Sequence, residues 1–246
     1  MIKNFKVISL IPSKKNSKGL KNKNIKKISG LGLFEIAIIS SNKSKFIDKT
    51  YVTSDCSKIL KKAKKRGGIP IKRLKSLCSD NIEANLVILD FLNKIKKNIN
   101  LDKTIIIYLQ PTSPFRNHLH INSALQKFVK KSTKCLISVK ESDAKIFKAL
   151  KSKKNTLLPF FKEKFLTANR QSFRKVFFPN GAIYIFYAKD FLKKKKINIK
   201  NSTPFIMNDF ESIDIDFPYD FEIAKKLANK YLLYKNYKKK EIDAKF

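Results

Sequence analysis

Arginine and acidic side chains are both scarce in this chain. Of 55 basic residues only five (Arg66, Arg73, Arg116, Arg170 and Arg174) are arginine, and 19 Asp and Glu leave a formal net charge of +36. Such a field attracts polyanions, but nucleic-acid faces are built from arginine forks and aromatic side chains gathered in one place. Here the charge is lysine spread over the whole length, with the Asn, Ile and Phe that an A/T-rich coding sequence supplies. It reads as a solvated surface, and no specific nucleic acid is expected as a partner. Cysteine is also sparse: Cys56, Cys78 and Cys135 are odd in number and far apart, which excludes a CxxC metal pair and fits reduced thiols in a cytoplasm. No apolar run approaches a membrane span. The apolar residues before Ile11 lack a small-residue cleavage site and read as a first strand rather than a signal peptide. His118 and His120 stand two apart at a helix start, where they point away from each other, so solvated histidines are expected there rather than a metal pair.

What is present is enough apolar material, 43% of 246 residues, to bury one full core. Short β-branched runs alternate with longer amphipathic ones: 6–11 then 33–41, 50–53 then 57–66, 69–72 then 82–97, 104–109 then 119–131, and 135–139. Strands interleaved with helices at this spacing predict an α/β fold, a Rossmann-like, doubly wound and mostly parallel sheet. Residues 1–246 read as a single domain, with 141–178 as an irregular excursion of the kind that meets a partner subunit. Strands are expected again over 182–187 and 205–207, then a helix over 219–234 with Phe221, Ala224, Leu227, Ala228 and Tyr231 on one face. The four lysines from Lys193 to Lys196 read as an exposed helix end, and 238–246 as a frayed tail.

Four stretches could carry chemistry. The first strand opens into a lysine-dense loop from Ile11 to Asn24, in which Gly19 permits a positive φ and Ser17, Lys18 and Lys23 offer a hydroxyl and two cations. Backbone N–H groups and ammonium ions at the carboxyl end of a sheet suit phosphate, so the loop reads as a nucleotide site or as a basic surface turn. The GxxxxGK[ST] spacing of a P-loop is absent. Next, Leu109-Gln110-Pro111-Thr112-Ser113-Pro114-Phe115-Arg116 follows a buried strand. It forms either a rigid crevice wall in which Gln110 reads a substrate, or a helix cap at Thr112 or Ser113. Third, Asp214 and Asp216 point the same way from an extended segment, and either Mg²⁺ on a nucleotide triphosphate or a nearby lysine must relieve their repulsion. Fourth, Arg170 precedes the turn Pro179-Asn180-Gly181 and suits an acidic substrate or an interface salt bridge.

Together, the loop 11–24, Val52-Thr53-Ser54-Asp55, the stretch from Arg73 to Asp80, 109–116, 179–184 and 211–216 fall in the order and spacing of the acylneuraminate cytidylyltransferases, also called CMP-sialic acid synthetases. The chain resembles that family from Lys6 to about Leu233. The resemblance implies that the anomeric hydroxyl of a nine-carbon 2-keto sugar acid (sialic, legionaminic or pseudaminic type) attacks the α-phosphate of CTP, pyrophosphate leaves, and the CMP-sugar serves surface glycans. It implies that Lys14, Asn16, Ser17, Lys18, Lys23, Asn24 and Arg73 bind the nucleotide, Arg73 near the cytosine. Gln110, Lys148 and Arg170 are implied to bind the sugar acid, the last two reaching across a homodimer. Asp214 and Asp216 hold Mg²⁺ on this reading and form the catalytic set with Lys23.

Departures from the family pattern are equally visible. Lys14 replaces an arginine and Lys21 a proline, so a point charge stands for a fork and the turn is less rigid. Leu74, Ala84 and Phe178 replace a proline, a small hydroxyl and, in some members, a second arginine; the last change favours a legionaminic- or pseudaminic-type acid. Competing expectations are a 3-deoxy-manno-octulosonate cytidylyltransferase, disfavoured by Asn169-Arg170-Gln171 and Pro179-Asn180-Gly181, a homologue that has lost activity, and a basic nucleic-acid module.

Overall fold

The structure, a computed structural model, describes Ile2 and residues 4–243. In chain order the elements are β1 (Lys6–Pro12), β2 (Lys27–Ile28), β3 (Leu31–Gly32), α1 (Leu33–Asn42), β4 (Lys49–Ser54), α2 (Ser57–Lys65), β5 (Ile69–Lys72), α3 (Ala84–Ile95), β6 (Thr104–Tyr108), α4 (His118–Lys130), β7 (Cys135–Ser142), β8 (Leu150–Lys153), β9 (Thr156–Pro159), α5 (Lys164–Thr167), β10 (Val176–Tyr187), α6 (Ala188–Lys194), β11 (Thr203–Ile206) and α7 (Pro218–Asp243). Seven strands form one sheet in the order β11-β7-β10-β6-β1-β4-β5. The pairings are parallel except those of β10, which runs antiparallel to both β6 and β7. The expected mostly parallel doubly wound sheet is therefore present, with one reversed strand inside it.

The two central strands, β1 and β6, are mostly apolar because helices cover both faces, as parallel sheets require. Val7 and Ile11 of β1 pack with Phe34, Ala37 and Ile38 of α1, Ile59 and Ala63 of α2, and Ile121, Ala124, Leu125 and Phe128 of α4. The intervening Ile8 and Leu10 pack with Ile88, Phe91, Leu92 and Ile95 of α3 and Phe191 of α6. Strand alternation thus sorts one sequence run into two cores. A third cluster joins Leu20, Ile28 and Leu33 to Ile215 and to Phe221, Ala224 and Ala228 of α7. This cluster clamps the opening loop and the Asp214 segment between the same helices. Of the expected α7 face, the side chain of Tyr231 lies outside the described residues, as do residues 244–246 of the expected tail; the helix backbone continues to Asp243.

The excursion is more ordered at its ends than the sequence suggested. Glu141 and Ser142 pair with Phe177 and Val176, so β7 and β10 leave the sheet as a two-stranded ribbon. Beyond it stand the β8–β9 hairpin and a knot of phenylalanines, with Phe147 against Phe161, Phe165 and Phe173 at 5.2–5.7 Å between ring centroids. Lys195 caps α6 in the left-handed conformation, which places the lysine run at a helix end as expected.

Candidate active site

A cavity of about 910 Å³ opens at the carboxyl ends of β1 and β6, where an open α/β sheet offers its crevice. Its lining falls into three chemical groups. Lys14, Ser17, Lys18, Gly19, Lys23 and Asn24 come from the loop after β1. Arg73, Leu77, Ile82, Ala84, Val87 and Tyr108 make an apolar wall with one guanidinium. Gln110, Thr112, Asp214 and Asp216 supply amide, hydroxyl and carboxylate.

The opening loop is held by its own polar groups. Ser13 N–H donates to the Thr53 carbonyl (2.9 Å), and Lys15 N–H to Asp55 Oδ1 (2.8 Å). The buried Asn24 donates through Nδ2 to the Lys14 carbonyl (2.8 Å). Asn22 rather than Gly19 takes the left-handed conformation, at φ 57°. Gly19 is required for a different reason from the one expected: a Cβ there would lie 2.6 Å from the Asp216 carbonyl oxygen, so the missing side chain lets the loop touch the aspartate segment. Asn16, expected at the nucleotide, is exposed and is not among the residues that line the cavity.

Both aspartates reach the cavity. Asp216 Oδ1 accepts from Lys23 Nζ at 2.8 Å, and Lys14 Nζ pairs with Asp80 while also donating to the Ser79 carbonyl at 3.3 Å. Lys14 holds the Asp80 carboxyl below its usual range, mainly through that hydrogen bond. Asp214 behaves oppositely. Burial pushes its pKa up, against the hydrogen bond from Thr112, and neighbouring Asp216 adds repulsion. Asp214 Oδ1 is buried without a partner, as are Ser13 Oγ, Ser17 Oγ and Ser113 Oγ. A buried, unpartnered carboxylate oxygen beside a second carboxylate neutralised by ammonium fits a cation. Among the described residues no cluster of three or more His, Cys, Asp or Glu side chains that could hold a metal ion is gathered.

Arg73 is buried against Thr53, donating from Nη2 to the carbonyl (3.0 Å) and from Nε to Oγ1 (3.4 Å); burial lowers its pKa. Gln110, Pro111 and Thr112 form the crevice wall, and α4 is capped by Asn117, not by Thr112 or Ser113. Ala84 lines the cavity at the start of α3, whereas Leu74 and Phe178 are exposed elsewhere. Lys148 and Arg170 are not brought to this cavity; Arg170 Nη2 pairs with Asp143 at 3.2 Å on the excursion. His120 departs from expectation, since its Nε2 contacts Glu211 at 3.1 Å while Nδ1 accepts from the Asn117 N–H (3.2 Å). It is a half-buried tie rather than a solvated residue.

Asp80, Asn180 and Gly181 stand in motifs the sequence reading singled out, but it gave none of them a role of its own. Asn180 Nδ2 donates to Ser212 Oγ (2.9 Å) and its Oδ1 accepts from Ser138 Oγ (2.6 Å), tying β7 and β10 to the aspartate segment. Gly181, at φ 74°, leaves room for Gln110: a Cβ would lie 2.3 Å from its Oε1 and 3.2 Å from Asp214 Oδ2. Asp80 had a signal, an acidic residue seven positions after a rare arginine in a lysine-rich chain.

A mostly parallel sheet with a cation-lined crevice at its strand ends defines a nucleotide-binding α/β protein. More narrowly, the chain belongs to the cytidylyltransferase family, whose profile matches residues 8–242. It is 31% identical over 239 residues to an N-acylneuraminate cytidylyltransferase of Escherichia coli, covering 94% of this chain but only 55% of that protein's length. It is 28% identical over 229 residues to a CMP-N,N'-diacetyllegionaminic acid synthase of Legionella pneumophila (91% and 96% covered). A pseudaminic acid cytidylyltransferase of Campylobacter jejuni is 27% identical over 224 residues (91% and 96%). Among solved structures, a CMP:2-keto-3-deoxy-manno-octonic acid synthetase complexed with CTP superposes with a TM-score of 0.66 at 15% identity, over 92% of this chain and 99% of that one. That likeness speaks to the fold.

Proposed function

We propose that this protein transfers the cytidylyl group of CTP to the anomeric hydroxyl of a nine-carbon 2-keto sugar acid of sialic, legionaminic or pseudaminic type, releasing pyrophosphate. The observation that carries the proposal is the convergence of Lys14, Lys18, Lys23, Asp214 and Asp216 on one crevice beside the amide of Gln110. Lys14, Lys18 and Lys23 neutralise the triphosphate, and the unpartnered Ser17 hydroxyl donates to it. The wall of Leu77, Ile82, Ala84 and Val87 takes the base, with the buried Arg73 guanidinium as its polar reader. Gln110 orients the sugar acid so that its hydroxyl meets the α-phosphate in line, and positioning of this kind supplies much of the rate. Asp214 and Asp216 hold magnesium, which when bound supplies charge neutralisation at the phosphates. The same reading makes the protein a cytoplasmic homodimer in which the excursion crosses to the neighbour, bringing Lys148 and Arg170 to its sugar site. Exposed Leu150, Leu157 and Phe160 on that excursion support burial against a second copy.

The test is turnover: CTP, Mg²⁺ and a panel of N-acylneuraminic, N,N'-diacetyllegionaminic and pseudaminic acids, with release of pyrophosphate as the readout. Turnover with at least one acid is expected. Its absence with every acid overturns the proposal.

A further inference from the structure

Among the described residues Arg116 is the largest fully buried side chain, 1% exposed, and it forms no ion pair with a carboxylate. A guanidinium removed from water without a counter-ion is strongly disfavoured, so its partners define what it does. Nη1 donates to two backbone carbonyls, Gln110 at 3.0 Å and Ala182 at 3.2 Å, while Nε and Nη2 have no partner. Both carbonyls lie where sheet pairing stops. β6 ends at Tyr108, and residues 180–183 form a register shift in β10, between the pairs Pro179–Val139 and Tyr184–Ile137. Arg116 thus supplies a side-chain donor to one carbonyl just past the end of β6 and to another inside the β10 register shift. The two gripped residues flank one contact: Gln110 folds its side chain over the bare Cα of Gly181, next to Ala182 and beside Asp214. The Arg116 carbonyl in turn accepts from Ser40 Oγ of α1 (3.1 Å), which anchors the clamp to the helical layer.

We infer that Arg116 is a positioning residue that pins the 180–183 shift against the end of β6 and thereby sets the pose of the Gln110 amide toward the sugar acid. Burial lowers its pKa only to about 10, so it stays charged at neutral pH and its donors remain strong. The assignment of Gln110 to the sugar acid rests on the cytidylyl-transfer proposal; the clamp itself rests on geometry.

The experiment compares Arg116→Met, Arg116→Lys, Gln110→Ala and the Arg116→Met/Gln110→Ala double variant with the unaltered protein. The first readout is amide hydrogen exchange. Arg116→Met should raise exchange selectively over 180–183, and Arg116→Lys, which keeps a donor, should restore protection. Unchanged exchange at 180–183, or a uniform rise throughout the protein, overturns the clamp whatever the enzyme's activity. The second readout is kinetic, with the best acid of the panel. Arg116→Met should raise KM for the sugar acid about tenfold while CTP affinity by calorimetry stays within about twofold, and the double variant should be no worse than Gln110→Ala alone. Additive losses, or equal loss of CTP and sugar affinity, refute action through Gln110. If Gln110→Ala alone leaves KM for the acid unchanged, the sugar assignment of Gln110 fails, and the kinetic half of the inference falls with it. A protein that turns over no acid removes the functional reading, and hydrogen exchange then decides the clamp. Thermal stability is not diagnostic, because replacing a buried charge by an apolar side chain is often neutral or stabilising.

Discussion

At the scale of single residues, the two aspartates differ in kind although they sit two apart in sequence. Asp216 is open and already neutralised by Lys23, while Asp214 is half-buried, with Oδ1 fully buried, and destabilised as an anion. Because the folded-state pKa of Asp214 lies above its unfolded value, the fold is favoured at low pH and loses that advantage as pH rises past the ordinary aspartate range through the raised value. Replacing Asp214 by Asn, which removes the disfavoured charge, should therefore raise the melting temperature near neutral pH in protein free of metal and nucleotide. The same variant should lose about 100-fold or more of cytidylyl transfer, as should Asp216→Asn, which leaves the melting point nearly unchanged. Melting curves and pyrophosphate release on the same samples check both halves. The sequence showed that the carboxylates share a side; which one carries the electrostatic strain depends on Thr112 and the burial of the 212–216 segment, which no local pattern encodes.

At the scale of elements, the site is held by places where regular structure ends. The shift in β10 exists because Asn180 bonds sideways to Ser138 and Ser212 and Gly181 adopts a left-handed φ. A Gly181→Ala substitution carries both a backbone penalty of about 1 kcal/mol and a clash with Gln110. Expected is a modest fall in melting temperature with a disproportionate rise in KM for the sugar acid, read by steady-state kinetics. Gly19→Ala should act on the other substrate, weakening CTP binding in calorimetry because the new Cβ meets the Asp216 carbonyl. The strand and helix periods were legible in the chain because each central strand alternates between two helical layers. The shift was not, since nothing in a run such as Pro179 to Tyr187 distinguishes a paired residue from one pushed out of the ladder by a buried asparagine.

At the scale of the whole molecule, two consequences follow from charge and from assembly. With a net charge of +36, much of it solvated lysine, attraction of a tetra-anionic nucleotide is long-ranged and screened by salt. KM for CTP should rise several-fold between low and physiological ionic strength while kcat changes little. If the excursion completes a neighbour's sugar site, Arg170→Ala and Asp216→Asn are defects of opposite walls of one composite site. Each alone should be nearly inactive, and refolding an equimolar mixture should recover about a quarter of wild-type activity, because half the dimers are mixed and each has one intact site. No recovery above the parents counts against the composite site.

The amino-acid sequence alone determined the layered sheet, the position of the lysine-dense opening loop and the pair of carboxylates, because apolar period and polar spacing are local properties of a chain. Tertiary structure alone decided that Gly19 serves by its missing Cβ, that Asn16 is exposed, that His120 is tied to Glu211, and that Arg116 donates to the carbonyls of Gln110 and Ala182. Those outcomes turn on which atoms from distant segments meet, and such meetings are fixed by packing rather than by neighbours in sequence.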